Sequence, residues 1–233
     1  MVNKSAAWRA ASASLVVAGC LSVYSACAAA LATPNMWDTQ ERINRYIESG
    51  QYDTDVAAVV AQARAYMEQR APAVSKPAIV LDIDETALTN WPAYRANGWA
   101  RITGGPCDVE RGPCGTLAWQ QMAAAKAIAP TLELAKRAEA LNVAVFFITG
   151  RMENLREATD RNLRQAGYRP AGLILEPDNA RFASAADFKA PERRKLIDQG
   201  YTVLLSMGDQ QSDLDGGYTE KTFKLPNPVY FLP

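Results

Sequence analysis

Four short, mostly apolar runs leave few folds open to this chain, and each leads within two residues into an acidic, hydroxyl or glycine residue. Ala78-Ile79-Val80-Leu81 stops at Asp82. Val143 to Ile148 stops at Thr149-Gly150-Arg151. Gly172 to Leu175 is shorter, and Thr202 to Ser206 leads into Gly208-Asp209. Runs this short and apolar read as strands buried on both faces, the habit of parallel sheets. Helical text lies between them: Trp119 to Leu141, Asn154 to Ala166 with a stop at Gly167, and Pro191 to Gln199 with Pro191 near the first position. A last short strand is expected near Thr222 to Leu225. Strands alternating with helices predict an α/β fold built on a doubly wound parallel sheet. In such sheets ligands bind beyond the carboxyl ends of the strands, where Asp82, Thr149 and Asp209 fall.

Two helices are expected before the first strand, over Asp38 to Arg70 with a break near Gly50. Ile43, Tyr46 and Ile47 form one apolar stripe; Val56, Val59, Val60, Ala63 and Tyr66 form another. After the first strand, residues 91–118 are rich in Gly, Pro and aromatics and read as a loop-rich insert. The chain has 233 residues with 48% hydrophobic side chains. That suits one domain over 33–233 with a large core.

Residues 1–32 read as a secretory signal peptide. Lys4 and Arg9 make a basic start, Ala10 to Ala32 is apolar, and Ala30-Leu31-Ala32 is a small-residue cleavage site with Ala32 the last residue removed. The product would be secreted or periplasmic. Val17-Ala18-Gly19-Cys20 offers a second processing route, an outer-membrane lipoprotein acylated at Cys20; the apolar text after Cys20 argues against it. Without that lipid, no membrane contact is expected. Cleavage at Ala32 leaves Cys107 and Cys114 as the only thiols, and a lone pair in an exported chain reads as a disulfide.

Composition narrows the chemistry further. Lys plus Arg equals Asp plus Glu, at 25 each, so nothing in the charge balance calls for a nucleic acid polymer. Histidine is absent. Phosphohistidine, Ser-His-Asp, Cys-His and His-ligated zinc mechanisms are thereby excluded. Hydrolysis would have to run on carboxylates, hydroxyls, lysine or an oxygen-liganded metal.

The strand ends carry those groups. In Asp82-Ile83-Asp84-Glu85-Thr86 the extended chain turns Asp82 and Asp84 the same way, which suits a nucleophile beside a general acid. The plainer reading is a solvated acidic loop. Gly208-Asp209-Gln210-Gln211-Ser212-Asp213 places Asp209 and Asp213 four apart; with Asp82 they make an all-oxygen set suited to Mg²⁺. Asp215 reads as surface. Thr149 and Gly150 offer a hydroxyl and an approachable backbone to a phosphate oxygen, and Lys189 a point cation, with Lys195 its rival. Trp91, Tyr94, Trp99 and Trp119 either stack a nucleobase or aryl group or belong to the core.

In this order the motifs resemble the haloacid dehalogenase superfamily of phosphotransferases. More narrowly they are similar to class C bacterial and plant-type (subfamily IIIB) acid phosphatases and vegetative storage proteins. The text that carries the likeness is Asp82-Ile83-Asp84-Glu85-Thr86, Thr149, Phe188-Lys189 with Arg193-Arg194-Lys195-Leu196, and Gly208-Asp209-Gln210 with Ser212-Asp213-Leu214. Ser49 to Asp53 and Thr222 to Pro228 add to it. The resemblance implies an acid phosphatase acting on small phosphomonoesters; that these include nucleotide or aryl phosphates is expected only from the aromatic set above. It implies that Asp82 forms an aspartyl-phosphate and that Asp84 protonates the leaving alcohol. It further implies that Thr149 and Lys189 bind the phosphoryl group. Asp82, the Asp84 backbone carbonyl, Asp209 and Asp213 would hold Mg²⁺. A non-catalytic storage or binding protein on the same fold is the alternative. The segment Gly98 to Gly115 has no counterpart in that pattern.

Overall fold

The computed structural model describes Thr33 and residues 35–233. The expectations placed on Ala32 and Cys20 lie outside the described residues. No described helix is long and apolar enough to cross a membrane.

The unit Asn35–Pro233 opens with helices α1 (Met36–Glu48) and α2 (Gln51–Arg70), separated at Gly50, whose φ of +77° suits the one residue without a Cβ. Strand β1 (Pro77–Leu81) follows. A tight reversal leads to β2 (Leu88–Thr89) and the short helix α3 (Trp91–Ala96). The insert runs into α4 (Thr116–Met122), followed by β3 (Lys126–Ala127) and α5 (Ala129–Ala140). The rest is β4 (Ala144–Met152), α6 (Arg156–Gln165), β5 (Gly172–Glu176), α7 (Ala185–Asp198), β6 (Thr202–Gly208) and β7 (Lys221–Lys224).

Five strands form one parallel sheet in the order β5-β4-β1-β6-β7. Strand β1 is central, and the chain winds outward from it in both directions. The crevice at that reversal is where α/β sheets bind ligands. Side chains alternate between two apolar layers. Ile79, Leu81, Val145 and Phe147 join Val56, Val60, Ala63 and Met67 of α2 and Leu134 and Ala138 of α5. Ala78, Val80, Phe146 and Ile148 meet Phe188 and Leu196 of α7 on the other face. Coverage of both faces explains why the strand text is predominantly apolar.

Two sequence expectations need correction. The stretch from Trp119 to Leu141 is not one helix. Ala123 adopts a left-handed conformation (φ +54°) that ends α4, and Lys126–Ala127 pairs with Leu88–Thr89 in a small antiparallel ladder. Pro130 then opens α5. Nor does the helix carrying Lys189 begin at Pro191. A capping box of Ser184 and Asp187 starts it at Ala185, and Pro191 lies inside. The insert is irregular apart from α3, and Cys107 and Cys114 are disulfide-bonded.

Candidate active site

The crevice gathers side chains from the carboxyl ends of β1, β4 and β6. Asp82 follows β1 directly; its N–H still donates to Met207 O (2.9 Å), so the sheet ladder fixes its backbone. The chain then reverses at once. Leu88 N donates to Ile83 O and Glu85 N to Leu88 O (2.8 Å each), with Glu85 in the left-handed region (φ +54°). Ile83 is buried in the core, whereas Asp82 and Asp84 both line the cavity, as period-two geometry predicts.

Lys189 reaches the same point from α7. Its Nζ donates to Asp82 Oδ1 at 2.5 Å and to Asp213 Oδ1 at 2.6 Å. Burial alone would lower the ammonium's pKa, but Asp213 and Asp82 outweigh it and hold Lys189 charged. Burial pushes the Asp82 carboxyl well up; Lys189 opposes the rise, and Asp213, Asp209 and Asp84 add to it. Lys195, the rival, is exposed and pairs with Glu192.

Beyond β6, a single turn of tighter helix over Gln211–Asp213 brings Asp213 back onto Gly208. A Cβ at position 208 would lie 2.5 Å from Asp213 Cβ and Oδ2, so only glycine permits this approach. The turn is clamped by Arg193, fully buried, which donates to the carbonyls of Gly217 (2.8 Å), Asp213 (2.7 Å) and Asp215. Asp209 accepts from Gln210 Nε2 (2.6 Å) and Asn227 Nδ2 (2.7 Å). Burial, then the charge of Asp213, pushes its carboxyl up to about 6. Asp215 is exposed, as expected.

Asp82, Asp209 and Asp213 offer three buried carboxylate oxygens within 4.8 Å of one another. Such an anionic, all-oxygen set fits a hard divalent cation. The Asp84 carboxylate is not among them. It faces Arg151, whose Nη2 donates to Oδ1 at 2.6 Å and Nε to Oδ2 at 3.1 Å. Burial would raise the Asp84 carboxyl, but the guanidinium outweighs it and holds Asp84 below the usual carboxylate range.

Gly150 and Arg151 line the cavity. A Cβ on Gly150 would meet nothing closer than Glu176 Oε2 at 3.7 Å, so the protein itself does not demand glycine there. Thr149 is buried behind them, and its hydroxyl accepts the Arg151 N–H at 3.1 Å.

The four aromatics divide. Tyr94 lines the cavity against Tyr230, with ring centroids 5.5 Å apart. Trp91 packs edge-on against Tyr52 (5.0 Å) and Trp99 (5.5 Å). Trp119 is buried, and its indole N–H donates to Asn90 Oδ1 at 2.8 Å. Of the two readings open to the tryptophans, packing fits better, since none of the three lines this cavity. Sequence reasoning gave no role to Arg151, Arg193, Asn90 or Glu85. Asn90 Nδ2 bridges Asp84 Oδ1 (2.8 Å) and Glu85 Oε2 (3.0 Å). Burial, then the charge of Asp84, pushes Glu85 up to about 8. The available signal was thin: an arginine after Thr-Gly at a strand end, and a third acid beside Asp84.

A parallel sheet whose central strand ends in a lysine-paired aspartate, beside three carboxylates able to hold a cation, is the arrangement of an α/β enzyme suited to phosphoryl transfer. Comparison with known proteins agrees. A family model described as HAD superfamily, subfamily IIIB (acid phosphatase), matches residues 10–233. The stem 28 kDa glycoprotein of Glycine max is 34% identical over 198 residues, covering 82% of this chain and 74% of that protein. Acid phosphatase 1 of Solanum lycopersicum is 30% identical over 155 residues, covering 66% of this chain and 58% of the relative. A class C acid phosphatase from Bacillus anthracis shares the fold at a TM-score of 0.65 and 22% identity, over 83% of this chain and 86% of its own. The chain belongs to the acid phosphatases of HAD subfamily IIIB.

Proposed function

We propose that this protein is an exported, Mg²⁺-dependent phosphomonoesterase that works through an aspartyl-phosphate on Asp82. The observation that carries the reading is Lys189 held between Asp82 and Asp213 at 2.5 and 2.6 Å, with Asp209 alongside. A non-catalytic storage role would need none of these groups buried together.

Bound at Asp82, Asp209 and Asp213, the cation would supply charge neutralisation for the phosphoryl oxygens and the attacking carboxylate. The protein's own residues do the rest. Asp82 attacks phosphorus, forming a P–O bond as the ester P–O bond breaks. Lys189 offsets charge on the transferring group, and the Gly150 backbone borders it. Asp84 gives its proton to the departing alkoxide, then takes one from the water that attacks the acyl phosphate, releasing inorganic phosphate and restoring Asp82. In the resting site Arg151 keeps Asp84 ionised. A phosphoryl dianion entering the cavity competes for that guanidinium; with its proton affinity so raised, Asp84 takes a proton from solvent and passes it to the departing oxygen.

Asp82→Asn preserves shape and removes the attacking charge. It is expected to lower kcat for p-nitrophenyl phosphate by at least ~10³-fold. EDTA should abolish activity and Mg²⁺ restore it. Near wild-type turnover in Asp82→Asn, or full activity in EDTA, would overturn the reading.

A further inference from the structure

Three cations line the active-site cavity: Lys189, Arg151 and Arg101. Two are committed. Lys189 is bound by Asp82 and Asp213, and Arg151 by Asp84. Arg101 is different. It is exposed and, among the described residues, no salt bridge engages it. Its guanidinium carbon lies 5.8 Å from the centroid of the Tyr230 ring, a cation–π distance that engages none of its N–H groups in a hydrogen bond.

The position of Arg101 is built. Two residues before it, Trp99 is buried with φ +69° and donates its indole N–H to Asn44 Oδ1 at 2.9 Å. One residue after it, the Ile102 carbonyl accepts both the N–H (2.7 Å) and the hydroxyl (2.8 Å) of Thr116 at the start of α4. The wall that presents Arg101 is thus tied to α1 on one side and α4 on the other.

Arg101 makes no hydrogen bond or salt bridge to the inner carboxylates among the described residues, and its charge reaches Asp84 only as a longer-range influence that helps hold that carboxyl low. The four lining carboxylates are Asp82, Asp84, Asp209 and Asp213. Against them stand Lys189, Arg151 and the divalent cation of the reading above, which together cancel their charge before a phosphoryl group enters. Asp82, where the phosphoryl group must sit, is buried at the floor, whereas Arg101 is exposed at the mouth. A group at the mouth meets the leaving-group end of the substrate. We infer that Arg101 selects phosphomonoesters whose leaving group carries a second anion, a carboxylate or further phosphate, a few atoms from the ester oxygen. The planar fork matches either anion with two parallel hydrogen bonds.

This rests on the hydrolytic reading and has a separate test. 3-Phosphoglycerate and glycerol 3-phosphate differ by a carboxylate in place of a hydroxymethyl group. With the Mg²⁺-loaded wild-type protein, kcat/KM should favour 3-phosphoglycerate by about 5- to 20-fold at low salt, mostly through KM. The preference should shrink in 0.5 M NaCl. Arg101→Gln should bring the ratio near one, and Arg101→Lys should recover part of it. Calorimetric binding of the two esters carries the same comparison if turnover is absent, so loss of the hydrolytic reading would not hide the result. A wild-type ratio at or below one would overturn the inference. So would a ratio that survives in Arg101→Gln, or an equal loss on both esters, which would assign Arg101 to the transferring phosphoryl group.

Discussion

Asp84 and Arg151 neutralise each other before any substrate arrives, and their pairing sets a measurable energy. The Arg151 side chain is fully buried, while that of Asp84 keeps 21% exposure. Removing one member of a buried pair leaves an uncompensated charge. Arg151→Met should therefore cost about 3 kcal/mol in urea unfolding, the low end for buried pairs because Asp84 retains some water. The double variant Arg151→Met/Asp84→Asn should regain at least half of that loss. Simple addition of the two single losses would show that the pair is uncoupled. This residue also marks the limit of what the sequence discloses. Asp82, Asp84, Asp209, Asp213 and Lys189 were legible because each sits at a strand end or in motif text. Arg151, Asn90 and Arg193 were not, because their roles depend on which elements the fold sets opposite them. Trp119 shows the same limit from the other side: an aromatic near a crevice has two readings until its indole N–H is seen on Asn90.

Among the elements, the strands were legible and the helix boundaries less so. Buried strands announce themselves by predominantly apolar text, and four of the five sheet strands carry it. The two-residue strands β2 and β3 are too short for any periodicity to register. The start of α7 was misplaced because Pro191 looks like a first-turn proline, whereas the Ser184 and Asp187 capping box starts the helix at Ala185, six residues earlier. The insert is the element whose conformation the sequence left open. Its disulfide is backed by Asn97, whose side chain bonds both Cys114 O (2.8 Å) and Cys114 N (2.7 Å), and by Gln40 Nε2 on Gly98 O (2.7 Å). Replacing Cys107 and Cys114 by serine should cost on the order of 2 kcal/mol in the chain-entropy account. Because the same segment presents Arg101 and Thr103 to the cavity, KM should rise while kcat changes little. Unchanged thermal stability and KM would mean that the hydrogen bonds alone hold the loop.

For the molecule as a whole, the cluster at the sheet's carboxyl edge couples stability to pH and to metal. Burial and the charge of Asp213 raise the Asp209 carboxyl to about 6, and burial raises Asp82 as well. An acid whose folded value exceeds its unfolded value, about 3.9 for aspartate, binds protons more tightly in the folded state. Its stabilising contribution is complete below the unfolded value and is lost as pH rises through the folded one. For Asp209 the window runs from about pH 4 to pH 6 in the metal-free protein. A divalent cation reverses this, because it binds the deprotonated carboxylates and stabilises only the folded chain. The melting temperature in EDTA should therefore carry a falling contribution from pH 4 to pH 6, and the rise on adding Mg²⁺ should be larger at pH 7 than at pH 5. At a hundredfold excess over Kd, the shift at pH 7 should be roughly 5–10 °C. Differential scanning calorimetry at the two pH values decides the matter. No shift with Mg²⁺, or a larger one at pH 5, would mean that Asp82, Asp209 and Asp213 do not act together as a cation site.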